Sequence, residues 1–259
     1  MEIQSVGFVG GGRITRVLLE RLARREGTRV VVSDNDGAAG ARLAAAFPTV
    51  ETTADNRVAA AQDLVFLALH PPALKSVLPQ LAGALRPDAV VVSLAPVLTI
   101  AALSALAARF VRLARMIPNA PSLLGHGYNP VAYAAGLAPD ERRHLEALFD
   151  LWGAHPEVEE ATLEAYAVLT AMGPTYLWFQ LQELRELGTR FGLPGAAVDA
   201  ALAGMARGAT ATLLESGLQP NDVLETVPVH PLKEREAAIR TAYEEVLPAL
   251  WTRLKAARS

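Results

Sequence analysis

Two stretches of this 259-residue chain carry residue types at spacings that do chemistry. The first, VGFVGGGRIT, sets Gly10, Gly12 and Thr15 at the spacing of a dinucleotide cradle, directly after an apolar run and at the head of a helical one. Gly10 permits a tight turn and Gly12 lets the backbone approach a pyrophosphate, which the free amides and partial positive charge of a helix start would hold. Gly11, Arg13 and Ile14 complete the cradle. Thr15 is bulkier than glycine or alanine, which predicts slightly looser helix packing. The second stretch, ETVPVHPL (225–232), sets His230 between Pro228 and Pro231. Proline lacks a backbone donor and clashes with the preceding turn, so this run interrupts the helices around it. Histidine is the side chain that exchanges a proton near neutral pH.

The cradle needs a sheet beneath it, and the sequence supplies one. SVGFVG (5–10), RVVVS (29–33), DLVFLAL (63–69), AVVVSL (89–94) and FVRLARM (110–116) read as strands. Most are solidly apolar, as parallel strands covered on both faces are. Helical segments such as ITRVLLERLARR and PALKSVLPQLAGAL separate them. The fold class is therefore α/β: an N-terminal Rossmann-type doubly wound sheet over 1–159, followed by an all-helical C-terminal domain over 160–259. The second strand ends at Ser33, Asp34 and Asn35, with Asp34 twenty-two residues past Gly12. An acidic side chain there accepts from a ribose 2′-hydroxyl and repels a 2′-phosphate, and no basic residue follows until Arg42. That favours NAD over NADP as the NAD(P) cofactor, although Arg13 beside the cradle is placed to offset it. A plain Asp-Asn turn is the alternative reading of Asp34.

Composition narrows the class further. With 51% hydrophobic and 20% charged residues, the chain is globular. Net charge is -3 and the basic residues are scattered, apart from Arg21, Arg24, Arg25 and Arg29, so nucleic acid is not an expected partner. There is no cysteine, and the five histidines include no HExxH, so no metal site is expected. The uncharged run 89–108 is about 20 residues, long enough to span a membrane. A β-branched run followed by Pro96 and a helical segment reads instead as buried strand, turn and helix. The N-terminus enters a strand-like run without the features of a secretory leader, which predicts a cytoplasmic protein. In the helical half, Gly204 and Gly208 with Ala201, Ala211 and Thr212 form a small-residue face, for packing within the domain or against another subunit. The mean hydropathy of +0.24 leans towards an oligomer.

With these features in place the sequence resembles the pyrroline-5-carboxylate reductase family along almost its full length. The likeness rests on VGFVGGGRI, TADN (53–56), DLVFLALHPPALKSVL, ARMIPNAPSLLGHG (114–127), AMGPTYLW and LLESGLQPNDVLETV. The resemblance implies hydride transfer from NAD(P)H to a cyclic imine carboxylate, and a helical domain that intertwines with a partner subunit as a homodimer or higher homo-oligomer. It implies that Asn56, Leu69, His70, Pro71 and Asn119 line the cofactor. It also implies that the turn holding Met172, Gly173 and Tyr176 borders the small-molecule substrate.

Two departures from the family pattern stand out. The family's serine before Gly-Pro aligns with Met172, which has no hydroxyl. Its Ser-Pro-Gly-Gly-Thr-Thr loop aligns with residues 227–232, where both glycines and both threonines are gone, Pro231 has no N–H and Leu232 is apolar. A buried carboxylate deprived of such partners loses charge-assisted bonds worth roughly 1.5–3 kcal/mol each. The expected substrate is therefore not pyrroline-5-carboxylate but a less anionic or bulkier C=N or C=O compound, walled by Met172, Val229 and Leu232. His230 is the expected proton donor, with Thr175 and Tyr176 as auxiliaries; a capping or surface role is its plainer reading, and His126, between Gly125 and Gly127, is a rival. Two other functions stay open: a nucleotide-binding regulatory or scaffold homologue without catalysis, and a deazaflavin-dependent NADP reductase.

Overall fold

The computed structural model describes residues 3–258. Strands and helices alternate through the first half: β1 (Ser5–Val9), α1 (Arg13–Leu22), β2 (Arg29–Ser33), α2 (Gly37–Ala46), β3 (Val50–Thr53), α3 (Asn56–Ala60), β4 (Leu64–Leu67), α4 (Pro71–Leu81), β5 (Val90–Ser93), α5 (Ile100–Leu106) and β6 (Leu113–Met116). Two short strands, β7 (Gly127–Tyr128) and β8 (Val131–Tyr133), precede α6 (Pro139–Phe149) and β9 (Gly153–Ala154). The main sheet has seven strands in the order β3-β2-β1-β4-β5-β6-β8. All neighbours are parallel except β8, which runs antiparallel to β6. The order reverses between β1 and β4, and this switch point at the carboxyl ends of the strands is where open α/β sheets bind ligands.

The five expected strands form, and the sheet gains two that the sequence reading did not predict. Both added strands, β3 and β8, lie at its edges. VETT of β3 is half exposed, so it lacks the solid apolar signature of the central strands. Each face of the sheet carries its own apolar layer. On one, Phe8 stacks on Phe66 at 4.8 Å and Trp152 meets Phe66 edge-on at 5.7 Å. The indole Nε1 of Trp152, fully buried, donates to the Leu18 carbonyl at 2.9 Å. On the other, Val9, Val31, Leu67, Leu74, Val91 and Leu103 pack together.

From Glu160 the described chain is helical: a 3-10 turn (Glu160–Thr162), α7 (Leu163–Tyr166), a π-helical turn (Ala167–Ala171), α8 (Gly173–Arg190), α9 (Gly195–Glu215), α10 (Pro220–Glu225) and α11 (Lys233–Ala257). The expected boundary at 159/160 marks where this all-helical chain begins. Compactness divides the protein after Met172 and groups the chain from Leu250 on with the sheet, leaving Gly173–Ala249 as a second unit. In that unit α8 packs on α9, with Arg185 holding Asp199 through Nε at 2.5 Å and Nη2 at 3.2 Å. No helix among the described residues is long and apolar enough to cross a membrane.

Behind β6 the first unit buries charge. Arg115, on β6, is fully buried; its Nη1 donates to Glu160 at 3.0 Å and its Nη2 to Glu164 at 2.6 Å. Glu164 is 2% exposed, and the same Oε1 accepts from the Val97 amide at 3.1 Å. Glu160 accepts from the Ile100 amide at 2.6 Å. Arg258 reaches both carboxylates, at 3.7 and 3.8 Å. The two carboxylates thereby fix the turn after β5, where Val97 sits at φ 67°. A β-branched residue in that left-handed region carries strain of about 1–3 kcal/mol that surrounding contacts must sustain.

Candidate active site

The expected cofactor residues follow the carboxyl ends of successive strands. Gly10, Gly11, Gly12, Arg13 and Ile14 come after β1; Asp34 and Asn35 after β2; Asn56 after β3; Leu69, His70 and Pro71 after β4; and Asn119 after β6. Gly10 takes φ 107°, and a Cβ there would meet the Ala68 carbonyl oxygen at 2.8 Å, so only glycine fits this turn beside β4. Gly12 is the N-cap of α1 and offers no side chain to cap its first amides. By contrast Asp36, Asp55 and Thr99 cap α2, α3 and α5. A Cβ at Gly12 would meet nothing within 4 Å, which leaves room above the helix start for an anionic group.

Asp34 is built into the cradle from the other side. Its Oδ2 accepts from the Gly11 amide at 2.8 Å and its Oδ1 from the Asp36 amide at 2.8 Å. The carboxylate therefore orients the glycine turn, and each oxygen keeps a further lone pair for a ribose hydroxyl. Thr15 does not loosen the helix: it is fully buried and its hydroxyl donates to the Gly10 carbonyl at 2.6 Å, pinning the turn. Ser33 is also buried, and its hydroxyl faces the Phe8 carbonyl at 3.4 Å. Asn35, Arg13 and His70 are exposed, while Ile14, Asn56, Leu69 and Pro71 are half-buried. His70 starts α4 without a side-chain cap bond, ahead of Pro71.

These residues fit a dinucleotide: a tight glycine turn, an open helix start and an acid at the end of the second strand. When bound, NAD(P)H supplies the hydride. The chain would hold the pyrophosphate on Gly10, Gly11, Gly12 and the α1 amides, and the ribose on Asp34. Gly12→Ala is expected to leave the melting temperature unchanged, because the added methyl meets open space, yet to weaken NAD(P)H binding at least about tenfold through contact with the pyrophosphate. Fluorescence titration of the reduced nicotinamide checks this.

Asn119 is 7% exposed. Its Oδ1 accepts from the Tyr128 amide at 3.1 Å and its Nδ2 donates to the Thr170 carbonyl at 3.2 Å. Its own amide donates to Oδ1 of the fully buried Asn129 at 3.1 Å, an oxygen that also accepts from Ser122 Oγ at 2.8 Å. The sequence reading missed Asn129 and the tyrosine pair Tyr128–Tyr166, whose rings lie 6.1 Å apart. His126 is exposed on the neighbouring turn.

The remaining expected residues lie at or beyond the end of the first unit. Met172 is half-buried, its amide bound to the Ala167 carbonyl at 3.1 Å. Gly173 opens α8, and Thr175 and Tyr176 stand on its first turns. Tyr176 meets Tyr243 of α11 edge-on at 6.0 Å. Desolvation, with Tyr243 adding to it, raises the Tyr176 phenol above its ordinary value, so at neutral pH it is a donor. Residues 227–232 link α10 to α11, with Val229 69% and Leu232 66% exposed. His230 Nε2 lies 2.6 Å from the Val227 carbonyl. That bond fixes a hydrogen on Nε2.

The switch-point cradle and its acid fit a Rossmann-type dinucleotide-binding fold. Residues 5–96 match the family model described as NADP oxidoreductase, coenzyme F420-dependent. The chain is 27% identical over 245 residues to the pyrroline-5-carboxylate reductase of Corynebacterium melassecola, covering 93% of this chain and 90% of that one. It is 26% identical to the Pseudomonas aeruginosa reductase of the same name, over 93% and 89% of the two chains. Among solved structures, Plasmodium falciparum pyrroline carboxylate reductase with NADP bound has the same fold, at TM-score 0.82 and 17% identity over 99% of this chain and 98% of that one. These likenesses support an NAD(P)-dependent oxidoreductase, similar in sequence to pyrroline-5-carboxylate reductases over nearly the whole length of this chain.

Proposed function

We propose that this protein reduces a C=N or C=O bond of a small molecule in the cytoplasm, and that pyrroline-5-carboxylate is not its substrate. The observation that carries this reading is the loop at 227–232, where Val227, Val229 and Leu232 present exposed apolar side chains around Pro228 and Pro231. Such a loop has no hydroxyl for a substrate carboxylate, and its two prolines have no amide hydrogen, so it favours an uncharged or bulkier ligand. Met172, Gly173, Tyr176, Val229 and Leu232 would wall the substrate. His230, when it carries a second proton on Nδ1, would give that proton to the reduced nitrogen or oxygen and return to the neutral ring with its hydrogen on Nε2, with Thr175 assisting. His230→Ala is expected to cut turnover about 10²–10⁴-fold with NAD(P)H affinity unchanged, the range of general acid catalysis. Full turnover by that variant would remove the assignment.

Asp34 supports NADH over NADPH, because a 2′-phosphate would meet its carboxylate. Binding of NADPH with no binding of NADH in parallel titrations would sink this preference. A deazaflavin-linked NADP reductase is the second reading, drawn from the description of the matched domain model, and the same titrations count for or against it.

The functional form proposed is a homodimer or higher homo-oligomer built through the helical unit. Among the described residues of Gly173–Ala249, Val198 alone is buried. Leu177, Trp178, Phe179, Phe191 and Leu214 are each more than half exposed. Gly204 and Gly208 of the small-residue face on α9 are exposed, with open space where a Cβ would be. An apolar surface this extensive on a soluble unit calls for a partner, and a second copy offers the same surface in return.

A further inference from the structure

We infer that Asn119 is a positioning residue: it supplies, to the Thr170 carbonyl, the hydrogen bond that Pro174 cannot make. The site role given to it here rests on the proposed reductase reading; the hydrogen-bonding role does not. In an α-helix the carbonyl of residue 170 takes its bond from the amide of residue 174. Residue 174 is proline and has no amide hydrogen. The helix widens at this place into the π turn Ala167–Ala171, where the Met172 amide reaches back five residues to the Ala167 carbonyl. The Nδ2 of Asn119 donates to Thr170 at 3.2 Å.

The geometry fits a dedicated brace. Asn119 is the N-cap of the 3-10 turn Ala120–Leu124, yet its side chain makes no cap bond there. Instead the amide is held at both ends, by the Tyr128 amide on Oδ1 and by Thr170 on Nδ2, while buried Asn129 holds its backbone. The Thr170 hydroxyl is already turned back to the Tyr166 carbonyl at 2.9 Å. Asn119 therefore holds the Thr170 carbonyl inside the π turn that closes the first unit.

The test is hydrogen exchange across residues 168–176 in the full-length protein, with turnover of 1-pyrroline measured alongside. Asn119→Ala is expected to speed exchange of this segment about tenfold or more. Adding Pro174→Ala restores an amide to bond the Thr170 carbonyl, and exchange is expected to return to within about threefold of the parent. Asn119→Asp keeps the acceptor for Tyr128 but loses the donor, so it serves if the alanine variant does not fold. Unchanged exchange in these variants, or no rescue by Pro174→Ala, overturns the inference. Exchange requires no substrate, so it decides the brace even if 1-pyrroline is not turned over. Where 1-pyrroline is reduced, kcat/KM is expected to fall about 10²-fold in Asn119→Ala and to recover in the double variant.

Discussion

Glu164→Ala is expected to cost about 3–5 kcal/mol of stability, the range for removing one partner of a buried ion pair. Arg115 has no exposed surface, and its Nη2, 2.6 Å from Glu164, would lose that partner and leave the guanidinium with Glu160 alone. The variant would also release the Val97 amide, and with it the strained turn after β5. At about 2–4 °C per kcal/mol for a chain of this size, the melting temperature should fall on the order of 10 °C. The paired replacement Arg115→Met with Glu164→Leu is expected to be far milder, because it removes both charges together. Denaturant titration of the single and paired variants checks this; equal losses in the two would show that the charges themselves do not hold the turn.

The second large effect concerns the helical unit. With Val198 as its one described buried residue, that unit has too little core to be stable by itself, so folding and association should be linked. The melting temperature is then expected to rise with protein concentration, and sedimentation should find a dimer or larger species at micromolar concentration. Phe179→Glu, which places a charge on a side chain 68% exposed in the single chain, should shift the protein to monomers and lower its melting point. A concentration-independent melting point with a monomeric mass would contradict the assembly.

The central strands were legible because β1, β2, β4 and β5 are covered on both faces and therefore uniformly apolar. Edge strands have no such requirement, and the short β3 and β8 carry no comparable apolar run. The cradle was legible in Gly10 and Gly12, whose small size is demanded by the turn and the helix start. That Asp34 would brace the Gly11 amide was not legible, since a contact across 23 positions leaves no periodic trace. The buried cluster left one trace: Glu160 and Glu164 lie one helical turn apart, as two like charges that need a cation from elsewhere. Nothing in FVRLARM announced that Arg115, rather than Arg112, would be that cation. The π turn was hidden for a similar reason, because Pro174 reads as an ordinary helix start and Asn119, which donates to the Thr170 carbonyl, lies in a different segment.

The most direct test of the reductase reading is the oxidation of NADH, followed at its absorbance maximum, with 1-pyrroline and with pyrroline-5-carboxylate as alternative acceptors for the same enzyme preparation. The predicted result is reduction of the uncharged imine with kcat/KM well above that for the carboxylate, and with NADH preferred to NADPH. Efficient reduction of pyrroline-5-carboxylate, at a kcat/KM above that for 1-pyrroline, would contradict the reading of the loop around His230.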